Sequence, residues 1–165
     1  MKSLLQLIVF PKFTGFLALF ALLATNAVAA SVHFKHQPAF EDVGLTLRST
    51  ISLAGLGNQD VTITLQVTGS ATYTLISPGG NPAPGQNKIP VASSTSITIP
   101  SNQIKNGTVT VVLESPAPAA PVPTDVGAPN NNWTTQIIDV SFSTATITVE
   151  QGGRTVLKET FDLEP

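Results

Sequence analysis

The chain has 165 residues, a formal net charge of −2, only 11% charged and 6% aromatic residues, and no cysteine. That length suits one domain with a tail. Charges this sparse form no basic stripe, which excludes nucleic acid as an expected partner, and the missing cysteine excludes both a disulfide scaffold and lipoprotein attachment.

The first thirty residues differ from the rest. Met1 and Lys2 begin the chain, Lys12 adds a second positive charge, and Phe13 to Ala24 is almost wholly apolar. Ala27-Val28-Ala29 is a small-x-small cleavage signal, so residues 1–30 read as an export leader, a signal helix removed at Ala30 or Ser31. The alternative is an uncleaved membrane anchor, but the apolar run is about a dozen residues, short of the roughly 20 that span a bilayer. Without Lys2 and Lys12, residues 31–165 hold six basic and ten acidic side chains, net about −4. Such a domain of about 135 residues buries enough surface to be stable without disulfides.

Ser31 to Gln37 predicts a short strand or a loose arm. Leu45, Leu47, Ile51 and Leu53 alternate with Thr46, Arg48, Thr50 and Ser52, which predicts a first good strand. Gly55-Leu56-Gly57-Asn58 follows, then Val61, Ile63, Leu65 and Val67 alternating with Thr62, Thr64, Gln66 and Thr68. Two alternating runs with a short Gly/Asn link predict a hairpin. Gly69 predicts a bulge or bend, and Tyr73 and Leu75 continue the strand. Pro78 to Pro90 reads as a loop, Ser94 to Ile99 as a strand stopped by Pro100, and Asn106-Gly107 as a turn tip. Thr108 to Glu114 is the next strand, with Val109, Val111 and Leu113 on one face. Ser115 to Pro129 is a Pro/Ala-rich excursion. Ile137 to Val149 and Thr155 to Leu163 are the last two strands, joined at Gly152-Gly153.

No segment after the leader has a helical period. Short strands at regular spacing predict an all-β fold over 31–165, an antiparallel Ig-like β-sandwich of about seven strands, with a closed barrel as the alternative. Val61, Ile63, Leu65, Val109, Val111, Leu113, Phe142, Ile147 and Val149 are the expected core.

Five segments, GLGNQDVTITL, SPGGNPAPGQN, IPSNQIKNGTVTV, PNNNWT and DVSFSTATITVEQ, together resemble a family of small secreted bacterial β-domain proteins. They run from about Leu53 to Gln151. The resemblance implies no activity. In the family pattern one Cys stands three residues before Pro-Gly-Gly and another five before the Trp, positions held here by Leu75 and Ala128. The resemblance therefore implies that Leu75 and Ala128 face each other where relatives carry a bridge, with Trp133 close by.

Chemistry-bearing residues are few. His33 and His36 are the only histidines. A terminus at Ser31 would read Ser-Val-His, whose amine, two amides and imidazole make a square-planar nitrogen site for Cu(II) or Ni(II). The competing reading is a solvated arm with two ordinary imidazoles. Glu41-Asp42, Asp60, Asp125 and Asp139 are candidate Ca²⁺ ligands, although no DxDxDG-type loop is present, and Asp60 and Asp139 also suit turn capping. Trp133, after Pro129-Asn130-Asn131-Asn132, is either an exposed sugar-stacking platform or a plug at the sandwich end. No GxSxG motif exists. The expectation is a secreted or cell-surface, non-enzymatic protein without a cofactor. Its structural or interaction role involves an extracellular protein or polysaccharide, and membrane contact runs only through an uncleaved leader. A glycan- or metal-binding module is the second expectation.

Overall fold

Alternating β-branched and hydroxyl residues form a pleated surface with one dry and one wet face. The computed structural model describes residues 31–85 and 87–163. Its strands are β1 (His33–Phe34), β2 (Ala39–Asp42), β3 (Leu47–Ala54), β4 (Val61–Ile76), β5 (Pro82–Pro84), β6 (Ile89–Ile99), β7 (Val109–Glu114), β8 (Thr134–Gln151) and β9 (Arg154–Asp162). The leader expected over residues 1–30, with its signal helix, lies outside the described residues.

All pairings are antiparallel and fall into two sheets. In the first, β1 and β2 share one edge of β3 and β7 takes the other. In the second, β5 and β6 share one edge of β4, β8 takes the other, and β9 follows β8. The short strands thus double up, leaving seven strand positions. The two dry faces meet in one core that includes Leu47, Ile51, Leu53 and Leu113 from the first sheet and Val61, Ile63, Leu65, Val140, Phe142 and Ile147 from the second. This is a β-sandwich, not a barrel. Ile51, Leu53, Ile63, Leu65 and Ile147 are wholly out of water, each worth about 1.5–3 kcal/mol in transfer free energy.

The expected hairpin between β3 and β4 does not form: the two strands lie in different sheets. The link between them crosses the end of the sandwich. Leu56 is buried there, and its amide donates to the Gly107 carbonyl at 3.0 Å. The Gln151 side chain clamps the link, accepting from the Gly57 amide at 2.9 Å and donating to the Gly57 and Gln59 carbonyls at 3.1 and 2.8 Å. Gly/Asn links serve a crossing as readily as a hairpin. The apolar Leu between the glycines is what distinguishes them.

Asn106-Gly107 does form the predicted tip, with both φ values positive at 53° and 67° and the Thr108 amide donating to the Lys105 carbonyl at 3.0 Å. Val109 and Val111 face the core but remain half-buried, in contrast to the expected burial. They sit on the side of the sandwich where β6 and β7 adjoin across the gap between the sheets.

β8 carries the irregularities. Its buried positions run Ile137, then Val140 and Phe142, then Ala145, Ile147 and Val149. The phase flips twice, and each flip coincides with a register shift against β4, at Thr72/Tyr73 and at Thr68/Gly69. Ile138 and Ser143 are the extra residues, which is why Ile138 is exposed. The bend expected at Gly69 is this second bulge. A Cβ on Gly69 would lie 2.3 Å from the Ser141 carbonyl oxygen and 2.9 Å from Phe142 Cα, so only glycine lets the two backbones approach this closely.

The Pro/Ala-rich excursion is pinned rather than loose. It contains a short 3₁₀ turn, Pro123–Val126. Tyr73 donates its hydroxyl proton to the Val126 carbonyl at 3.2 Å, and the Thr135 hydroxyl donates to the Pro121 carbonyl. A second small core results, in which Tyr73, Leu75 and Ala128 are buried and Ala83, Ile89, Val126 and Trp133 pack against them. Leu75 and Ala128 thus belong to one buried cluster, and Trp133 packs against it.

Candidate functional site

A cleft on the described surface sets an apolar floor beside three carboxylates. It lies between the β2–β3 turn and the middle of β8 and end of β9, and encloses about 470 Å³. Its floor includes Leu47, Val140 and Phe142, and its rim carries Asp42, Asp139 and Asp162. Local structure sets each acid. Asp42 ends β2, and its Oδ1 accepts the Gly44 amide proton at 2.8 Å, closing the turn into β3. Asp139 follows the Ile138 bulge, which turns Val140 inward and leaves Asp139 on the rim. Asp162 pairs with Thr144 at the end of β9. All three carboxylates are exposed. They lend the cleft a negative field, yet among the described residues no three His, Cys, Asp or Glu side chains converge closely enough to hold a metal ion.

The other Ca²⁺ candidates serve separate purposes. The Asp60 carboxylate accepts the Ser101 amide proton at 2.8 Å and caps the turn after β6. Asp125 is exposed on the 3₁₀ turn. Glu41 joins an ion-pair ladder across the first sheet, where Arg48 Nη1 lies 3.1 Å from Glu41 and Nη2 lies 3.1 Å from Glu114. The register places Glu41 opposite Arg48 and Arg48 opposite Glu114, so the ladder follows from strand pairing. The Thr46 hydroxyl donates to Glu114 at 2.8 Å. That hydrogen bond first, and Arg48 second, hold the Glu114 carboxyl below its usual range, while the Glu114 hydrogen bond raises Arg48.

His33 lies on β1, and its Nδ1 is 2.8 Å from the Ser31 carbonyl oxygen. His36 is exposed in the bend after β1. Trp133 is half-buried against the Tyr73–Leu75–Ala128 cluster, just before β8. Asp42 and Asp139 stand together among the Ca²⁺ candidates of the sequence, whereas Asp162 does not; the three come from different strands, and only the register brings Asp162 to the same rim.

Hydroxyl groups order the wet faces. Thr62 pairs with Thr98 at 2.9 Å, Thr68 with Thr144 at 2.7 Å and Thr146 with Thr160 at 2.9 Å on the second sheet. Ser52 pairs with Thr110 at 2.8 Å on the first. Each bond joins cross-strand neighbours.

Neither a protein-family model nor a curated protein sequence matches the chain. Among solved structures it is similar to a β-glucuronidase from glycoside hydrolase family 2, at 9% identity over 82% of this chain and 11% of that one, with a TM-score of 0.30. It is also similar to a protein assigned as a β-galactosidase from Bacteroides fragilis, at 11% identity over 82% of this chain and 16% of that one, with a TM-score of 0.26. The chain spans a small fraction of either protein, and likeness of this degree carries nothing about activity.

Proposed function

We propose that this protein is exported and acts as a non-enzymatic, Ig-like β-sandwich with a structural or interaction role at the cell surface or in the extracellular matrix. The leader-like composition of residues 1–30 supports export. The strand order, β1/β2–β3–β7 against β5/β6–β4–β8–β9, supports the Ig-like reading. The observation that carries the interaction role is the wet face of the second sheet. Its hydroxyls hold one another across four strands. A surface ordered in this way loses little rotamer freedom when a partner docks. It suits an extended protein segment or a polysaccharide, whose hydroxyls and amides exchange hydrogen bonds with such an array. Nucleic acid does not fit a domain of net charge about −4, and the membrane is met only through an uncleaved leader.

A glycan- or metal-binding module is the second reading, and the half-exposed ring of Trp133 favours its glycan form. Capture from intact cells separates the two. Cross-linked material should be recovered from the surface or matrix fraction with the native chain and lost with Thr64→Lys and Thr146→Lys. Loss with Trp133→Ala instead, at unchanged recovery for the lysine variants, would favour the glycan reading. Recovery from the cytosol alone would overturn both.

A further inference from the structure

His33 stands third in the domain, counted from Ser31, and its distance from the leader decides its chemistry. The leader closes on Ala27-Val28-Ala29 and, one residue on, on a second frame of the same kind, Val28-Ala29-Ala30. Removal after Ala30 makes Ser31 the first residue and its nitrogen a free amine. The nitrogens of Ser31, Val32 and His33 then follow one another along the backbone, and the His33 imidazole supplies a fourth. Around one ion they close two five-membered chelate rings and, through Nδ1, one six-membered ring. Nε2 lies too far round the imidazole to close such a ring. Four nitrogens in one plane suit Cu(II), which also stands highest in the affinity order of the divalent metals.

The fold leaves these donors within reach. Nδ1 of His33 is the nitrogen turned back toward the start of the domain, 2.8 Å from the Ser31 carbonyl oxygen. Ser31 and His33 are exposed, and Ser31 and Val32 precede β1 without belonging to a strand. Only the His33 amide is engaged in the sheet. The Lys35 amide donates to the Ser52 carbonyl at 2.9 Å, so His33 and Ala54, two residues away on each strand, form the next hydrogen-bonded pair of the ladder. That pair ends β1, and the next residue, Phe34, packs edge-on against Phe161 at 5.7 Å. An ion that takes the His33 amide therefore costs one ladder bond at a strand end. Three of the four donors are backbone nitrogens, so the site needs no cluster of metal-binding side chains, and among the described residues there is none. His36 is exposed three residues further on and lies outside the chelate.

We propose that Ser31-Val32-His33, at the amino end of the mature protein, is a Cu(II) site. Its ligands are the terminal amine, the amide nitrogens of Val32 and His33, and Nδ1 of His33. The proposal rests on the export reading above, with the cut after Ala30. On binding, one proton leaves the terminal ammonium and one leaves each of the two amides, and all three pass to solvent. The ion remains Cu(II), and the two deprotonated amides balance its charge. A cut after Ala29 puts His33 fourth and breaks the succession of rings, so the place of the cut decides whether the site exists.

Mature protein recovered from outside the cell, stripped with a chelator and titrated with Cu(II), tests this. Its mass should place the first residue at Ser31. Binding should saturate at one ion per chain, with an electron paramagnetic resonance spectrum coupled to four nitrogens. His33→Gln should lose that spectrum and weaken binding by about a hundredfold or more, because one chelate ring is gone. His36→Gln should change neither. A chain prepared to begin one residue earlier, at Ala30, keeps both imidazoles and every contact of the fold, yet should lose the four-nitrogen spectrum; if His33→Gln misfolds, this chain decides. A secreted chain that begins at Ala30, or one that begins at Ser31 without saturable binding, would overturn the site and leave the export reading standing. The same spectrum from the chain prepared with Ala30 first would overturn it too. Retention with Met1 intact would overturn both.

Discussion

Gly69→Ala probes a close approach of the β4 backbone to the β8 backbone. At an ordinary strand position, replacing glycine by alanine stabilises by about 0.5–1 kcal/mol, because the unfolded chain loses freedom. Here the added carbon would stand 2.3 Å from the Ser141 carbonyl oxygen and 2.9 Å from Phe142 Cα. Neither atom belongs to a side chain that can rotate away. Overpacking of this kind costs about 1–3 kcal/mol, and pushing β8 aside strains one or two ladder bonds at about 0.5–1.5 kcal/mol each. The net expectation is a loss of about 2–4 kcal/mol, or about 8–16 °C in melting temperature at roughly 4 °C per kcal/mol. Gly79→Ala is the control, since its nearest neighbour would be a side-chain atom at 3.6 Å; it should stay within about 0.5 kcal/mol. Urea melts followed by circular dichroism measure both. A Gly69→Ala midpoint equal to the native one would show that β4 and β8 do not approach in this register, and the bulge assignment would fall with it.

Three further outcomes are expected. Ser49 is fully buried with no hydrogen-bond partner for its hydroxyl, so Ser49→Ala should raise stability by about 1 kcal/mol; destabilisation beyond that size would reveal a partner. Leu75→Cys with Ala128→Cys should form a bridge under mild oxidation and add about 2–4 kcal/mol, because both side chains share one buried cluster; mass spectrometry showing two persistent free thiols would refute their facing each other. The Glu114 carboxyl titrates below its unfolded value, so its contribution is present above the ordinary glutamate range and is lost as pH falls through the folded value. Acid melting curves should show that loss, small and salt-sensitive because the pair is exposed, and Glu114→Gln should remove it.

The dry-and-wet alternation of β4 was fully legible, because its odd positions from Val61 to Leu75 are buried apart from Gly69. What decides between hairpin and crossing is less visible. Runs β3 and β4 alternate equally well in either arrangement, and only the burial of Leu56 in the link marks the crossing. β8 misleads for another reason: Val140 and Phe142 are in one phase and Ile147 and Val149 in the other, and no residue type announces the bulged Ile138 and Ser143. β2 and β5 were missed because AFED and PAP have no two-residue hydrophobic period; neighbouring strands impose their pairing. Pro90 makes the start of β6 look like loop in the sequence, but an edge strand tolerates proline. Trp133 was legible as a residue that packs or binds; its half-burial beside Ala128 depends on the return of the Pro-rich excursion. The cleft formed by Asp42, Asp139 and Asp162 depends wholly on register.

Export underlies the proposed role, and the mass of the protein recovered from each cell fraction tests it most directly. The account predicts an extracellular or surface chain that begins at Ala30 or Ser31, with the leader gone. A chain with Met1 intact, retained in the cytosol or held in the membrane, would contradict it.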